Sequence, residues 1–161
     1  MQKVLIFGNS GSGKSTLAKG YANKYGLSHL DLDILAWNNT APPTRKPLTM
    51  SAETITRFTL NNQEWVIEGC YSDLLNLLIN DADKLIFLNP GVETCIENCK
   101  NRPWEPHKYD TSEEQNNNLD MLINWVQEYP FRNDEVSLNS HQALFNKFIG
   151  NKIEYRSNKR D

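Results

Sequence analysis

The segment "KVLIFGNSGSGKST", residues 3–16, constrains the fold of this chain more than any other stretch. Its apolar start is rich in β-formers, which is typical of a central parallel strand buried on both faces. The glycine-rich remainder fits the pattern GxxxxGK(S/T), with Gly8, Gly13, Lys14 and Ser15 at the specified positions. A helix is predicted to open near Lys14. The pattern therefore lies between a strand and a helix, which is the setting that a phosphate-binding loop (P-loop) requires.

The same stretch predicts a nucleotide site for physical reasons. Gly8 permits a sharp turn, Gly11 and Gly13 let backbone N–H groups face inward, and the helix N-terminus adds partial positive charge. Lys14 is expected to reach the β- and γ-phosphates of ATP, and Ser15 to ligate Mg²⁺. The alternative is a glycine-rich turn that caps an ordinary helix. The residues predicted to bind the nucleotide are Gly8, Ser10, Gly11, Ser12, Gly13, Lys14, Ser15 and Thr16.

The bulk properties indicate one globular domain, residues 1–161, in a cytoplasmic protein. The chain has 161 residues, of which 39% are hydrophobic and 23% charged, and it holds three cysteines. An odd number of cysteines without a secretory signal favours reduced thiols. No apolar run approaches the roughly 18 residues that a membrane span needs. The net charge of -3 argues against nonspecific nucleic-acid binding as the main activity.

Apolar runs and helical spacings alternate along the chain, which predicts a parallel sheet covered by helices on both faces. Residues 34–50 contain three prolines and are predicted to form a loop with little regular structure. Five strands and six helices are expected. The strands lie at residues 3–7, 27–31, 64–69, 84–88 and 152–156. The first helix runs from Lys14 to a stop at Gly26, and the second covers 51–61 with Glu53 in its first turn. The third helix follows a Ser72 cap and the fourth begins at Pro90. The fifth covers 112–129, and the sixth follows a cap at Asn139 or Ser140.

Acidic residues follow two of the predicted strands. Asp31 and Asp33 are spaced i, i+2, which would place both on one face of a regular strand. They form either an acceptor or metal site, or ordinary turn chemistry at the strand exit. Glu68 ends the third strand and is expected near Ser15 if that strand pairs with the first. A carboxylate at a strand end otherwise makes a helix cap or a salt bridge.

The order of these segments resembles the adenylate-kinase-like group of P-loop kinases, which includes shikimate and gluconate kinases. The matching stretches are "GNSGSGKST", "DLD", "WVIEG", "ADKLIFLNP" and "CKNRP". The segments "LDILAW" and "WVIEGCY" are similar to those of bacterial proteins described variously as adenylate-kinase-related, shikimate-kinase-like or DNA topology modulation proteins. The resemblance covers roughly residues 1–103. In the kinases that the chain resembles, an acidic residue at the place of Glu68 supports Mg²⁺. A GTPase is not indicated, because no Asn-Lys-x-Asp segment follows the fourth strand.

The resemblance implies a three-layer sandwich whose five-stranded parallel sheet has the order 2-3-1-4-5, with a small lid at about residues 101–112. It also implies transfer of the γ-phosphate of ATP, with Mg²⁺, to an acceptor at the ends of strands 2 and 3. Asp33, with Asp31, would meet that acceptor, and Trp37 would form part of its wall. Arg45 is either a ligand for an anionic acceptor or a solvated loop charge.

The lid is the second functional segment that the resemblance implies. Arg102 would fold over the transferring phosphate and exclude water. Lys100, His107 and Lys108 are nearby candidates for the same role. The catalytic residues are thus predicted to be Lys14, Asp33 and Arg102.

The acceptor stays open at this stage. Shikimate kinases usually have a glycine triplet after the third strand, and nucleoside monophosphate kinases usually have an arginine, whereas this chain has Cys70 and Tyr71. A small-molecule or a nucleotide acceptor is therefore predicted without a choice between them. The alternative function is a P-loop ATPase or regulatory protein that acts through a partner. The oligomeric state is also open.

Three further residues are interpreted structurally. Cys95 and Cys99 have the spacing of a metal pair, but they lie on an apolar helical stripe and are predicted to be core thiols. His141 is predicted to be structural rather than catalytic.

Overall fold

The computed structural model describes residues 2–160, so Met1 and Asp161 lie outside the described part of the chain. Its centre is a parallel sheet with the strand order β2-β3-β1-β4-β5, which confirms the predicted order. The strands are β1 (Lys3–Gly8), β2 (Ser28–Asp31), β3 (Trp65–Gly69), β4 (Lys84–Leu88) and β5 (Asn151–Tyr155).

Helices cover both faces of the sheet, as the alternation of apolar patterns predicts. They are α1 (Lys14–Tyr25), α2 (Asp33–Ala36), α3 (Leu48–Asn61), α4 (Ser72–Asn76), α5 (Val92–Lys100), α6 (Ser112–Asn117), α7 (Leu119–Gln127) and α8 (Leu138–Lys147). The described residues thus form an α/β sandwich of three layers.

The strand β1 is buried on both faces, which explains its continuous apolar sequence. Leu5 and Phe7 face the core cluster that includes side chains of α4 and α8, and Phe7 stacks on Phe87 with ring centroids 5.0 Å apart. Val4 and Ile6 face the opposite cluster, against α1. Because its neighbours β3 and β4 pair with it along its length, β1 holds the glycine-rich loop at the middle of the sheet edge.

The prediction for residues 34–50 is wrong in part. This segment contains α2 and the start of α3, and a bridge joins Trp37 to Arg45. The helix α3 begins three residues before the predicted start because Pro47 acts as its N-cap residue and its carbonyl accepts the N–H groups of Met50 and Ser51. Glu53 consequently lies outside the first turn.

The predicted helix over residues 112–129 is also wrong, since it consists of α6 and α7. The two helices are separated at Asn118, whose side chain donates to the Tyr109 hydroxyl (2.7 Å). A tertiary contact of this kind leaves no trace in the local apolar spacing.

Local pattern also predicts three further helix starts wrongly. The helix α8 is capped by Ser137, whose hydroxyl accepts the N–H of Ser140 at 3.1 Å, and not by Asn139 or Ser140. Ser72 is the first residue of α4 and does not cap it with its side chain. The helix α5 begins at Val92, two residues after Pro90.

No helix among residues 2–160 is long and apolar enough to cross a membrane.

A buried histidine links α8 to the end of β3. The ring of His141 places Nε2 2.6 Å from the carbonyl oxygen of Cys70 and Nδ1 2.6 Å from the Tyr129 hydroxyl. A carbonyl only accepts, so Nε2 carries the proton and Nδ1 accepts from Tyr129. Burial lowers the pKa of His141 to about 4, and the ring is held neutral. These contacts agree with the structural role predicted for His141.

This histidine makes stability depend on pH. The unfolded chain takes up a proton near the ordinary pKa of 6.5, whereas the folded chain resists protonation down to about 4. Stability is therefore expected to fall between these values as the pH is lowered, by on the order of 3 kcal/mol for a shift of this size. Chemical denaturation of the wild type and His141→Asn from pH 7 to pH 4 measures the difference. Parallel curves for the two proteins would contradict the expectation.

Candidate active site

The loop between β1 and α1 has a backbone that glycine makes possible. Gly11 has a φ of 77°, and a Cβ at this position would lie 2.4 Å from the carbonyl oxygen of Cys95 on α5. Gly13 has a φ of 95° and forms the N-cap of α1 in the left-handed conformation. The loop is thereby packed closely on α5 while the N-terminus of α1 stays open, an arrangement suited to anions.

Side chains hold the loop in place from several directions. Asn9 is buried and donates to the carbonyl of Val126 (3.2 Å), while Lys14 Nζ donates to the carbonyl of Asn9 (2.7 Å). The guanidinium of Arg160 donates to the carbonyl of Ser12 (3.1 Å). The loop is therefore ordered by the protein itself.

One cavity of about 580 Å³ lies in front of this loop. It is lined by the loop, the strand ends, the lid and the C-terminal tail. Of the sequence-predicted site residues, it collects Ser10, Gly11, Gly13, Lys14, Ser15, Thr16, Asp33, Glu68 and Arg102. The lining does not include Gly8, Ser12, Asp31, Trp37 and Arg45.

Glu68 and Ser15 are neighbours in the cavity, as the pairing of β3 with β1 predicts. The Ser15 hydroxyl donates to Glu68 Oε1 at 2.8 Å, and Glu68 is only 1% exposed. His29 Nε2 lies 3.3 Å from the same oxygen. A hydroxyl and a carboxylate are ligand types that Mg²⁺ prefers. No group of three or more His, Cys, Asp and Glu side chains among residues 2–160 is placed to hold a metal ion by itself.

The acidic pair is arranged differently from the sequence prediction. The strand β2 ends at Asp31, and Asp33 is the first residue of α2, so the argument from a shared strand face is wrong. Asp31 Oδ1 accepts the backbone N–H of Asp33 at 2.9 Å, which is the turn chemistry of the alternative interpretation. Both carboxylates nevertheless face one cation, since Lys108 Nζ lies 3.7 Å from Asp31 and 2.9 Å from Asp33.

The pKa values of the two carboxyl groups, Asp31 and Asp33, are shifted in opposite directions. Burial raises the pKa of Asp31, and the negative charges of Glu68 and Asp33 raise it further. Burial alone would also raise the pKa of Asp33, but Lys108 and the Tyr71 hydroxyl outweigh it and lower this pKa below its usual value. Asp33 is therefore the carboxylate of the pair that is kept ionised.

The lid contributes two cations to the cavity. Arg102 pairs with Glu105 at 3.1 Å, and Lys108 lies 3.6 Å from the same residue. Burial opposes the charge of Lys108, but Asp33 and Asp31 raise its pKa above the ordinary range, so it stays protonated. Sequence reasoning ranked Lys108 below Arg102, because basic residues are common in polar loops and nothing in the local sequence indicates this ion pair.

Two predicted acceptor residues lie behind the cavity wall. Arg45 is paired with Asp73 (3.1 Å) and Glu135 (2.7 Å). Trp37 donates its indole N–H to the Tyr71 hydroxyl at 2.8 Å. Tyr71, which sequence reasoning did not select, touches Asp33 directly.

The C-terminal tail was also missed as part of the site. Arg160 and Asn158 line the cavity, and Asn158 exchanges side-chain hydrogen bonds with Asn98 at 2.8 and 3.0 Å. Asn98 in turn donates to the carbonyl of Gly11 (2.8 Å).

Comparison with known proteins addresses the fold. No family model matches the chain, and no curated protein matches it. The solved structure of a deoxyadenosine kinase from M. mycoides with bound dATP superposes with a TM-score of 0.52 at 15% identity. The match covers 99% of this chain and 93% of that one. The chain therefore shares the fold of that structure, a five-stranded parallel sheet covered by helices. In this fold the cavity lies beyond the carboxyl ends of the parallel strands, where open α/β sheets bind ligands.

Cys95 and Cys99 are buried thiols beside the glycine-rich loop. They pack against Val126 in a small cluster between α5 and α7. Burial raises the pKa of Cys95 to about 11, so the thiol stays protonated. Both cysteines are core residues, as predicted.

Replacement of Gly11 by alanine tests the packing of the loop. The left-handed backbone alone disfavours a Cβ by about 1–2 kcal/mol, and the approach to Cys95 adds to this. We expect Gly11→Ala to lower the free energy of unfolding by more than about 1 kcal/mol. Gly20→Ala is the matched control, because nothing lies within 4 Å of its Cβ and alanine favours a helix interior by roughly 0.5–1 kcal/mol. Equal stabilities of the two variants would contradict the description of the loop.

Proposed function

We propose that this protein is an Mg²⁺–ATP-dependent kinase that transfers the γ-phosphate to a hydroxyl group of a small-molecule or nucleotide acceptor. One observation carries the proposal. A single cavity joins the phosphate-type loop, the acidic residues Asp33 and Glu68, and a cationic lid. Phosphoryl transfer depends mainly on positioning and on neutralising charge, and these three parts supply both.

The loop side of the cavity is proposed to hold ATP. Lys14 and the N-terminus of α1 provide positive charge for the phosphates. The lining includes five basic and three acidic side chains, although the whole chain has a net charge of -3. This local excess of positive charge supports a polyanionic ligand.

Ser15 and Glu68 are the residues proposed to hold Mg²⁺. Their oxygens are 2.8 Å apart, and the described residues supply only this small part of a coordination shell. That fits Mg²⁺, which keeps several waters and takes further oxygens from substrate phosphates. When bound, the ion neutralises charge on the phosphates.

Asp33 is proposed to meet the acceptor. It is ionised and lines the cavity, so it is able to accept a hydrogen bond from a hydroxyl group. In the proposed step the acceptor oxygen bonds to the γ-phosphorus, the β,γ-bridging P–O bond breaks, and the hydroxyl proton passes to Asp33. Arg102 and Lys108 both line the cavity, which supports a role for them in stabilising charge on the transferring group.

The resemblance to adenylate-kinase-like proteins and the similarity to the deoxyadenosine kinase structure support testing nucleosides and nucleotides first as acceptors. We further propose that one domain carries both substrate sites, with residues 101–112 as the lid, and that the protein works in the cytoplasm.

Two substitutions test this function. We expect ATP consumption to rise with a member of a nucleoside, nucleotide, shikimate or sugar-acid panel. Asp33→Asn is expected to keep ATP affinity but lower the acceptor-stimulated rate by at least about 100-fold, whereas Lys14→Ala abolishes ATP binding. Asp83→Asn, remote from the cavity, is the matched control. ATP hydrolysis that no acceptor stimulates would favour the regulatory ATPase instead.

Glu68 is tested through binding rather than turnover. We expect Glu68→Gln to keep ATP affinity without Mg²⁺ but to weaken the gain in affinity that Mg²⁺ provides by about 10-fold or more. Titration calorimetry with and without Mg²⁺ measures the gain. Glu53→Gln, on an exposed position of α3, is the control. An unchanged Mg²⁺ effect in Glu68→Gln would exclude this residue from the metal site.

A further inference from the structure

Behind Asp33 lies a chain of aromatic and charged contacts that the proposed reaction does not use directly. Tyr71 is 3% exposed, and its hydroxyl lies 2.5 Å from Asp33 Oδ1. Trp37 contacts the same hydroxyl from the other side. Neither aromatic residue lines the cavity, so neither is placed to touch an acceptor.

The direction of these hydrogen bonds is determined by chemistry. The indole of Trp37 only donates, so the Tyr71 oxygen must accept from it. The hydroxyl proton of Tyr71 is then directed at the carboxylate of Asp33, which only accepts when ionised. The second oxygen of Asp33 accepts from Lys108 Nζ at 2.9 Å. The carboxylate is therefore held at both oxygens.

Arg45 holds the ring of Tyr71 in place. Its guanidinium lies 4.7 Å from the centre of that ring and 5.9 Å from that of Trp37. Two carboxylates fix the guanidinium, since Glu135 accepts at 2.7 Å and Asp73 at 3.1 and 3.3 Å. A guanidinium fixed in this way leaves the aromatic ring little freedom to rotate away.

We infer that Tyr71 is a positioning residue that aims the carboxylate of Asp33 at the acceptor hydroxyl, and that Trp37 and Arg45 act through Tyr71. The inference rests on the function proposed for Asp33. It assigns Trp37 and Arg45 a role other than the contact with the acceptor that the sequence suggested.

The electrostatic surroundings agree with this arrangement. Burial raises the pKa of Tyr71, as do Cys70 and Asp33, so its hydroxyl keeps the proton that it donates. Lys108 of the lid and Lys14 of α1 act on Asp33 from other elements and favour the ionised carboxylate, whereas Asp31 at the end of β2 carries a like charge.

Tyr71→Phe removes the hydroxyl and keeps the ring. We expect the acceptor-stimulated kcat to fall by about 10- to 100-fold, with the Kd for ATP changed less than about twofold. In an Asp33→Ala background the same substitution is expected to have no further effect on kcat, because its target is absent. Equal losses in both backgrounds would overturn the inference.

Tyr129→Phe is the matched control. Tyr129 is also 3% exposed, and its hydroxyl makes a similarly short hydrogen bond, at 2.6 Å to His141. Tyr129→Phe is expected to lower stability as much as Tyr71→Phe does, while leaving kcat within about twofold of the wild type. An equal loss of kcat in both variants would show that Tyr71 acts only through stability and would also overturn the inference.

A second measurement separates this inference from the proposed function. Absence of acceptor-stimulated turnover in the wild type counts against the function. The unfolding equilibrium constants of wild type, Tyr71→Phe, Asp33→Ala and the double variant then test the pair by itself. We expect a coupling of about tenfold or more, typical of a hydrogen bond to a charged group. Additive effects would refute the link between Tyr71 and Asp33 whether or not turnover is found.

Discussion

The parallel pairing of β1 with β3 is the constraint on which the site depends. It brings Ser15, just after the glycine-rich loop, within 2.8 Å of Glu68, although 53 positions separate them in the chain. The register aligns Ile6 with Glu68 and, on the next strand, Asp31 with Glu68. The carboxyl ends of all strands in a parallel sheet lie at one edge. Each crossover helix therefore leads to a further strand, whose end brings another acidic or loop residue to that edge.

Charge balance then determines how the acidic residues share that edge. Burial raises the pKa of Asp31, and the negative charges of Glu68 and Asp33 raise it further. Lys108 reaches in from the lid and lowers the pKa of Asp33, whereas that of Asp31 rises. One carboxylate of the pair is thus kept ionised by a residue about 75 positions away in the chain. The segment 101–112 therefore shapes the chemistry of the acidic pair as well as lining the cavity.

Much of the fold could be predicted from local pattern. The strands and the position of the glycine-rich loop follow from apolar runs and from the spacing of glycines around Lys14, whereas the strand order was taken from a family resemblance. Glu68 was located by the same reasoning, because strand pairing alone brings it to Ser15. Errors lie at helix boundaries such as Asn118 and Ser137, where a single side-chain hydrogen bond decides the outcome.

The sequence by itself determined the phosphate-type loop, the parallel sheet and the acidic strand ends, because each depends on a short run of contiguous residues. The loop is recognised by the spacing of its glycines, and the strands and their ends are recognised by continuous apolar runs. Only the tertiary structure decided which cation faces Asp33 and what holds Asp33 from behind. Tyr71 and Lys108 reach it from separate segments, and Arg45 is turned away from the cavity by Asp73 and Glu135. Such contacts depend on the packing of distant side chains, for which a linear pattern holds no distance information.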